Sequence, residues 1–253
     1  MRYYPPVGEN KSKEAEVADM FDAIAQRYDR LNRVLSFGLD RTWRTAAIRR
    51  LGNQFEKRVL DVATGTGDVA FAMRKLKPEE IVGVDISEEM LQIARRKASR
   101  YDTDSIDFVK ASAEQLPFEN NSFNGAIVAF GVRNFANLDA GLRSMQRVLK
   151  PQAPLVVLEF SQPKSRFIQM LYRMYSRWIL PRIGRMLSGV TGPYTYLPDS
   201  IEVFPSGYNF LVRLERCGFE RTREEPLTFG IVSLYTGYAT EGHHDEPDGI
   251  EQT

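Results

Sequence analysis

The stretch VLDVATGTGD, residues 59–68, followed by IVGVD, residues 81–85, decides the fold. An apolar run enters a turn that contains Gly65 and Gly67, and a second apolar run ends at Asp85. This order is typical of a nucleoside-binding βαβ unit, because glycines let the backbone approach the ligand and the acid binds ribose hydroxyls. The stretch therefore predicts a nucleoside ligand at the carboxyl ends of parallel strands. A purely structural turn is the alternative interpretation.

Two further carboxylates distinguish between possible ligands. In a dinucleotide enzyme the pyrophosphate lies at the helix N-terminus after the glycine turn. Asp68 occupies that position and Asp61 lies near the end of the first strand, so both would repel a pyrophosphate. S-adenosylmethionine, which has a positive sulfonium and an amino group, suits these acids better than NAD. The predicted contacts are Gly65, Thr66, Gly67 and Asp61 for its amino-acid part, and Asp85 for its ribose.

Composition limits the class of protein. The chain has 253 residues, of which 43% are hydrophobic and 26% are charged, and its formal net charge is +1. These values are typical of a globular protein and give no indication of a nucleic-acid partner. The single cysteine, Cys217, excludes an internal disulfide framework, and His243 and His244 alone do not predict a metal site. The sequence has no signal-peptide pattern and no apolar run of bilayer length, so we expect a cytoplasmic protein, with peripheral contact at the inner face of a membrane as an option. A homodimer is the other partner that we consider.

Alternating strand and helix patterns predict an α/β Rossmann-like fold with a mostly parallel seven-stranded sheet and an antiparallel edge strand. We expect one domain over 16–240, with N-terminal helices over 16–51, between a flexible terminus (1–15) and a disordered tail (241–253). The first helical pattern runs from 16 to 35 without a break. The predicted strands are 58–63, 81–85, 106–110, 124–130 and 154–160, followed by a hairpin of 219–226 and 230–239. The helices between them are 68–76, 88–100 and 136–149.

The alternation is interrupted by an insertion at about 161–205. Its first part has apolar residues at helical spacing and six basic residues, with no acid before Asp199. Such a segment could cover a hydrophobic substrate, contact an anionic lipid surface or dock a partner. A helix that packs on the sheet with a solvated basic face is the alternative.

Four stretches carry a resemblance to a known family. They are YDRLNRVLSFGLDRTW (28–43), GVRN (131–134), RVLKPQAPLVVLEFS (147–161) and YTYLPDSIEVFP (194–205). With the glycine turn, they resemble the UbiE/MenG family of quinone-biosynthesis C-methyltransferases over about residues 16–240. The chain departs from that family at three places: Asp40, where histidine is common, Ala129, where serine is common, and Gln152-Ala153, where two glycines are common.

The resemblance implies a class I S-adenosylmethionine-dependent methyltransferase fold, with cofactor contacts at Thr66, Asp85, Ser112 and Ala113. It also implies that the substrate is a prenylated quinol, which is methylated at a ring carbon: demethylmenaquinol, or alternatively the corresponding ubiquinol precursor. A methyltransferase acting on another acceptor, a catalytically silent cofactor-binding partner and, least favoured, a dehydrogenase are the remaining interpretations.

Arg133 and Asn134 are the predicted catalytic pair, because they follow the fourth strand near the expected methyl position. Arg133 stays protonated and would stabilise a phenolate, while Asn134 would hold a water that takes the proton. The alternative for Arg133 is a loop arginine paired to an acid. The predicted substrate-pocket residues are Tyr28, Tyr196, Met174 and Trp178, with Leu180 and Met186 also suggested for the prenyl tail.

Overall fold

The computed structural model describes residues 12–52, 57–100, 105–179, 182 and 192–241. The N-terminal segment up to residue 11, the tail from residue 242, Leu180 and Met186 lie outside the described residues. Helix α1 already begins at Lys13, within the range that was expected to be flexible.

The described residues form a seven-stranded sheet in the order β3-β2-β1-β4-β5-β7-β6. The pairs within β1 to β5 are parallel, and β7 runs antiparallel to both of its neighbours. The reversed strand therefore lies one place in from the edge, and the predicted C-terminal hairpin is confirmed. The strands are β1 Arg58–Val62, β2 Glu80–Asp85, β3 Ile106–Lys110, β4 Gly125–Ala129, β5 Pro154–Phe160, β6 Phe219–Leu227 and β7 Val232–Ala239.

The helices cover both faces of the sheet and the edge where the parallel strands end. They are α1 Lys13–Ile24, α2 Tyr28–Leu35, α3 Leu39–Arg50, α4 Asp68–Met73, α5 Glu88–Ala98, α6 Leu138–Val148, α7 Arg166–Met174, α8 Gly192–Val203 and α9 Tyr208–Arg216. A π-helical turn, Tyr175–Ile179, extends α7.

Two apolar clusters explain why most residues of the central strands are apolar. Along β1, Leu60 and Val62 belong to one buried cluster, whereas Val59 belongs to the other. Alternate residues of a strand point to opposite faces, so both faces of this sheet are covered.

The continuous N-terminal helix predicted over 16–35 is wrong. A 3₁₀ turn, Ala25–Arg27, separates α1 from α2, because Ile24 and Arg27 both have ψ close to zero and interrupt the α-helical hydrogen bonding. Residues on both sides of this break, Phe21 in α1 and Tyr28 in α2, contribute to the site described next.

Candidate functional site

The site lies where the strand order reverses, between the carboxyl ends of β1 and β4. Open α/β sheets bind ligands in the crevice at this point. The two strand ends are in close contact, since a Cβ added to Gly131 would lie 2.5 Å from Cβ of Ala63. Ala63 (φ 53°) and Phe130 (φ 62°) both adopt left-handed backbone conformations here. Such conformations store strain in non-glycine residues and cluster at functional sites.

The two glycines of the turn have different roles. Gly65 has φ +57°, and a Cβ added there would meet only the ring of Tyr28 at 4.0 Å, so its backbone is open to the crevice. Gly67 has φ +83°, and an added Cβ would lie 2.8 Å from Phe71 and 3.0 Å from Phe108. Gly65 therefore lets a ligand approach, whereas Gly67 lets α4 pack closely on the sheet.

Asp85 lies at the end of β2 and lines a cleft together with Gly65. Its Oδ2 accepts a hydrogen bond from the backbone N–H of Gly65 at 2.8 Å, and its Oδ1 accepts one from Ser87 at 2.9 Å. Burial raises the pKa of Asp85, and these two donors oppose that shift. The carboxylate is thus fixed in orientation and keeps lone pairs that can accept hydrogen bonds from ribose hydroxyls.

Ser112 and Ala113 line the same cleft after β3. The Ser112 hydroxyl accepts a hydrogen bond from the backbone N–H of Glu114 at 3.2 Å, so it also caps the following turn. The cleft places these two residues with Gly65 and Asp85, as a bound nucleoside would require.

Asp61 supports the turn from behind. It is only 1% exposed, and its Oδ2 accepts hydrogen bonds from the Thr64 hydroxyl at 2.6 Å and the Ala70 N–H at 3.1 Å. Burial raises its pKa to about 7. Asp61, Thr66 and Gly67 are not among the described residues that line the cleft. The geometry thus favours an indirect role for Asp61, which holds the turn in shape.

Thr66 and Asp68 belong to a polar cluster beside the turn. Lys97 donates to Asp68 at 3.0 Å, to Asp29 at 2.6 Å and to the carbonyl oxygen of Thr66 at 3.0 Å. The Thr66 hydroxyl donates to Asp29, and Arg44 lies 3.3 Å from Asp68. Asp68 is therefore compensated by two cations, which weakens the electrostatic argument against a pyrophosphate that the sequence suggested.

A second cavity of about 450 Å³ lies next to the cleft. Its volume falls in the range of about 300–1,000 Å³ that is typical of small-molecule sites. Phe21, Tyr28 and Phe130 line both the cleft and the cavity, which therefore meet at these side chains. Trp43 and Phe160 extend the aromatic wall, with ring centroids 6.1 Å and 4.8 Å from that of Phe130.

Arg133 lines the cavity and forms a buried ion pair with Glu159. Its Nη1 donates to Glu159 Oε1 at 2.8 Å and to the Phe130 carbonyl oxygen at 2.6 Å, and its guanidinium lies 5.5 Å from the Phe160 ring centroid. The two side chains are 7% and 0% exposed. Burial raises the pKa of Glu159, and the charge of Arg133 opposes this shift. The pairing that we considered as the alternative is therefore present, while Nε of Arg133 has no hydrogen-bond partner among the described residues.

Asn134 and Tyr196 connect the cleft with the cavity. Asn134 lines the cleft, Tyr196 lines the cavity, and the Tyr196 hydroxyl donates to Asn134 Oδ1 at 3.2 Å. Burial raises the pKa of Tyr28, the residue that the two spaces share, so its hydroxyl stays protonated at neutral pH. The structure thus brings together Tyr28, Arg133, Asn134 and Tyr196.

Met174 and Trp178, in contrast, point away from the cavity. They are exposed, and the same helical segment turns Leu171, Tyr172 and Tyr175 towards the cavity instead. The segment has two apolar sectors, and its sequence alone does not indicate which of them packs inward.

Asp40 and Arg44 form a polar end of the cavity that the sequence did not reveal. Asp40 is buried, and its carboxylate accepts hydrogen bonds from Arg44 at 2.6 Å and from the Ser36 hydroxyl at 3.0 Å. The i,i+4 spacing of Asp40 and Arg44 on α3 was the available signal, but the same spacing is common on solvated helix faces.

Comparison with known proteins gives a consistent result. A sequence model of the ubiE/COQ5 methyltransferase family matches residues 9–239. The chain is 46% identical over 234 residues to a demethylmenaquinone methyltransferase of Deinococcus radiodurans. The matched stretch covers 92% of this chain and 96% of the relative. It is 48% identical over 219 residues to the ubiquinone/menaquinone biosynthesis C-methyltransferase UbiE of Syntrophotalea carbinolica, covering 86% and 92%.

The fold also resembles solved methyltransferases. Phosphoethanolamine N-methyltransferase 2 of Haemonchus contortus, in complex with S-adenosyl-L-methionine, superposes with a TM-score of 0.67 over 92% of this chain and 61% of that one. The sequence identity is 13%, so the likeness concerns the fold alone. The predicted class I methyltransferase fold is confirmed.

Proposed function

Since the chain belongs to the ubiE/COQ5 methyltransferase family, we propose that it transfers a methyl group from S-adenosylmethionine to a ring carbon of demethylmenaquinol, giving menaquinol. The observation that carries this proposal is the apolar cavity of about 450 Å³ that meets the cofactor cleft at Tyr28 and Phe130. Such a cavity suits an aromatic ring with the first units of a prenyl tail. Its junction with the cleft suits transfer between two bound molecules.

The residues that line the cleft fit the cofactor. Asp85 binds the ribose hydroxyls, the open backbone at Gly65 accommodates the amino-acid part, and Ser112 and Ala113 border the adenine. S-adenosylmethionine supplies an activated methyl group on its sulfonium. The protein therefore has to hold the acceptor carbon in line and make it nucleophilic, and positioning alone can contribute about 7–11 kcal/mol to lowering the barrier.

Arg133 makes the ring carbon nucleophilic by stabilising the phenolate of the quinol. Loss of the phenolic proton raises the electron density on the neighbouring carbon, and a fixed cation that is itself nearly buried stabilises that charge. Glu159 holds the guanidinium in place through its 2.8 Å contact. The Tyr28 hydroxyl donates to a ring oxygen, and a water held by Asn134 accepts the phenolic proton. Once the ring carbon has taken the methyl group, that carbon loses its own hydrogen as a proton to water, which restores the aromatic quinol and leaves S-adenosylhomocysteine as the second product.

The acceptor ring is tested by a side-by-side assay with labelled S-adenosylmethionine. Reduced demethylmenaquinol and the demethylated ubiquinol precursor are offered separately at equal concentration. Faster transfer to the naphthoquinol supports the proposal. Transfer to the benzoquinol alone would replace menaquinol with ubiquinol as the product. If the protein binds the cofactor but methylates neither quinol, it would be either a catalytically silent cofactor-binding partner or a methyltransferase with another acceptor.

Contact with a membrane surface follows from the substrate, because a prenylated quinol resides in the bilayer. No helix in the part of the chain that the structure describes is long and apolar enough to cross a membrane. The homodimer stays a prediction. Sedimentation equilibrium tests it by measuring the molar mass of the protein in solution.

A further inference from the structure

The outer side of α7 and of the π-helical turn after it exposes large apolar side chains. Phe167 is 63% exposed, Met170 58% and Trp178 61%, and Met174 is exposed between them. Exposed apolar residues are ordinary when they are scattered, but a contiguous row marks an interaction site. These four recur at helical spacing, so they form one row along the segment.

The same helix separates the cavity from the outside. Ile168, Leu171, Tyr172 and Tyr175 line the cavity, so this apolar sector faces inward while the exposed row lies beside it. Two further exposed aromatic residues, Phe37 and Phe229, line the cavity as well and are 78% and 80% exposed. An exposed residue that also lines a cavity lies at its mouth. The cavity therefore opens next to an exposed apolar surface.

Basic side chains accompany the exposed row. Lys164, Arg166, Arg177 and Arg182 are exposed, and the sequence from Ser161 to Pro198 contains no acid. A helix with an apolar row next to cations is the arrangement that lies in the interface of an anionic membrane. A docked protein would require acidic residues that complement these cations and an apolar groove, whereas an anionic bilayer supplies both properties at one surface.

We propose that the α7 surface docks on an anionic lipid bilayer. This surface comprises Phe167, Met170, Met174 and Trp178 with the adjacent basic residues. In the docked protein the cavity mouth at Phe37 and Phe229 faces the acyl chains. This inference rests on the proposed function in that the substrate has a lipid tail. The tail passes from the bilayer into the cavity alongside α7, and the ring reaches Tyr28 without crossing bulk water.

Vesicle flotation tests the surface without any catalysis. Full-length protein is mixed with vesicles of neutral phosphatidylcholine or of phosphatidylcholine with phosphatidylglycerol. We expect the wild type to bind the anionic vesicles. The apolar double variant Phe167→Ser/Met170→Ser should lose affinity for them roughly tenfold or more. The charge variant Lys164→Gln/Arg166→Gln should lose affinity roughly fivefold for each charge removed. Tyr208→Ser removes an even more exposed aromatic residue, on α9, and should bind like the wild type. Equal flotation with both lipids, or no effect of the apolar double variant, would overturn the proposal, as would failure to float with any vesicle.

Turnover of two acceptors separates this inference from the proposed function. The double variant Phe167→Ser/Met170→Ser should lose turnover of a long-chain quinol embedded in vesicles and keep turnover of a short-chain quinol in solution. Equal loss with both acceptors would overturn the docking role. If the wild type methylates neither acceptor, the proposed function fails, while the flotation result still decides the membrane surface.

Discussion

The buried pair of Arg133 and Glu159 allows a catalytic role to be separated from a structural one. Both side chains are nearly inaccessible and lie 2.8 Å apart. Removing one partner of such a pair leaves an uncompensated buried charge, which costs about 3–5 kcal/mol. Replacing both partners by neutral residues of similar size is often close to neutral. A simple alanine variant of Arg133 would therefore lose activity through instability, whatever its role in catalysis.

We predict that Arg133→Met lowers the free energy of unfolding by about 3–5 kcal/mol, which in a chain of this size corresponds to roughly 6–20 °C in Tm. Adding Glu159→Gln to it should restore most of that stability, because the amide needs no countercharge and its oxygen can still accept from the N–H of Phe160, which donates to Glu159 at 2.8 Å. Methyl transfer by the double variant should stay reduced by about 10²–10³-fold, since the cation facing the phenolate is missing.

Urea unfolding, calorimetry with S-adenosylmethionine and the transfer assay measure the three quantities separately. Unchanged cofactor affinity in the double variant serves as the control for an intact cleft. A cost below about 1 kcal/mol for Arg133→Met would refute the ion-pair reasoning. Recovery of both stability and turnover in the double variant would show that Arg133 acts only as a structural residue.

Three further predictions concern the cofactor cleft and its turn. Burial raises the pKa of Asp61 to about 7, so between about pH 4 and 7 the folded protein keeps a proton that the unfolded chain has lost. The free energy of unfolding should therefore be highest below about pH 4 and fall by up to about 4 kcal/mol as the pH rises through 7. Asp61→Asn should lack this component, as denaturant unfolding from pH 4 to 8 will show; parallel pH profiles for the two proteins would contradict it. Asp85→Ala should weaken S-adenosylmethionine binding about 100-fold in calorimetry, because two charge-assisted hydrogen bonds to the ribose are lost. Asp107 is an exposed acid on β3, so Asp107→Ala should bind the cofactor normally. Equal affinities of the two variants would exclude Asp85 from the site. Gly67→Ala should cost at least about 1–2 kcal/mol in urea unfolding, because φ is +83° and the new Cβ would lie 2.8 Å from Phe71, and an unchanged midpoint would contradict that packing.

The sheet and the glycine turn could be predicted because their signals are local. The central strands are buried on both faces and are therefore mostly apolar, with Asp61 and Glu159 as buried exceptions, and the turn requires glycines at positive φ. Asp85 could be predicted for the same reason, because its position at the end of β2 follows from the strand pattern. The helix break at Ala25–Arg27 has no such signal, since the apolar periodicity continues through it.

The electrostatics of the site could not be predicted, because they depend on pairs that are distant in sequence. Asp68 acquires Arg44 and Lys97, which are 24 and 29 positions away, and Glu159 acquires Arg133 across 26 positions. In the sequence Asp61 and Asp68 look like free charges, whereas in the structure Asp61 is buried and Asp68 is paired with Arg44 and Lys97. Support for S-adenosylmethionine therefore comes from membership of the methyltransferase family and not from the charge of these two acids.

The position of the transferred methyl group in the product distinguishes C-methylation from O-methylation directly. Wild-type protein is incubated with S-adenosylmethionine carrying a ¹³C methyl group and with reduced demethylmenaquinol, and the product is analysed by NMR. We expect the labelled carbon to be bonded to a ring carbon of menaquinol, with the oxidised quinone unreactive because it has no phenolate to activate the ring. Label on a ring oxygen, or no labelled product while the cofactor binds normally, would contradict the proposed C-methyltransferase activity.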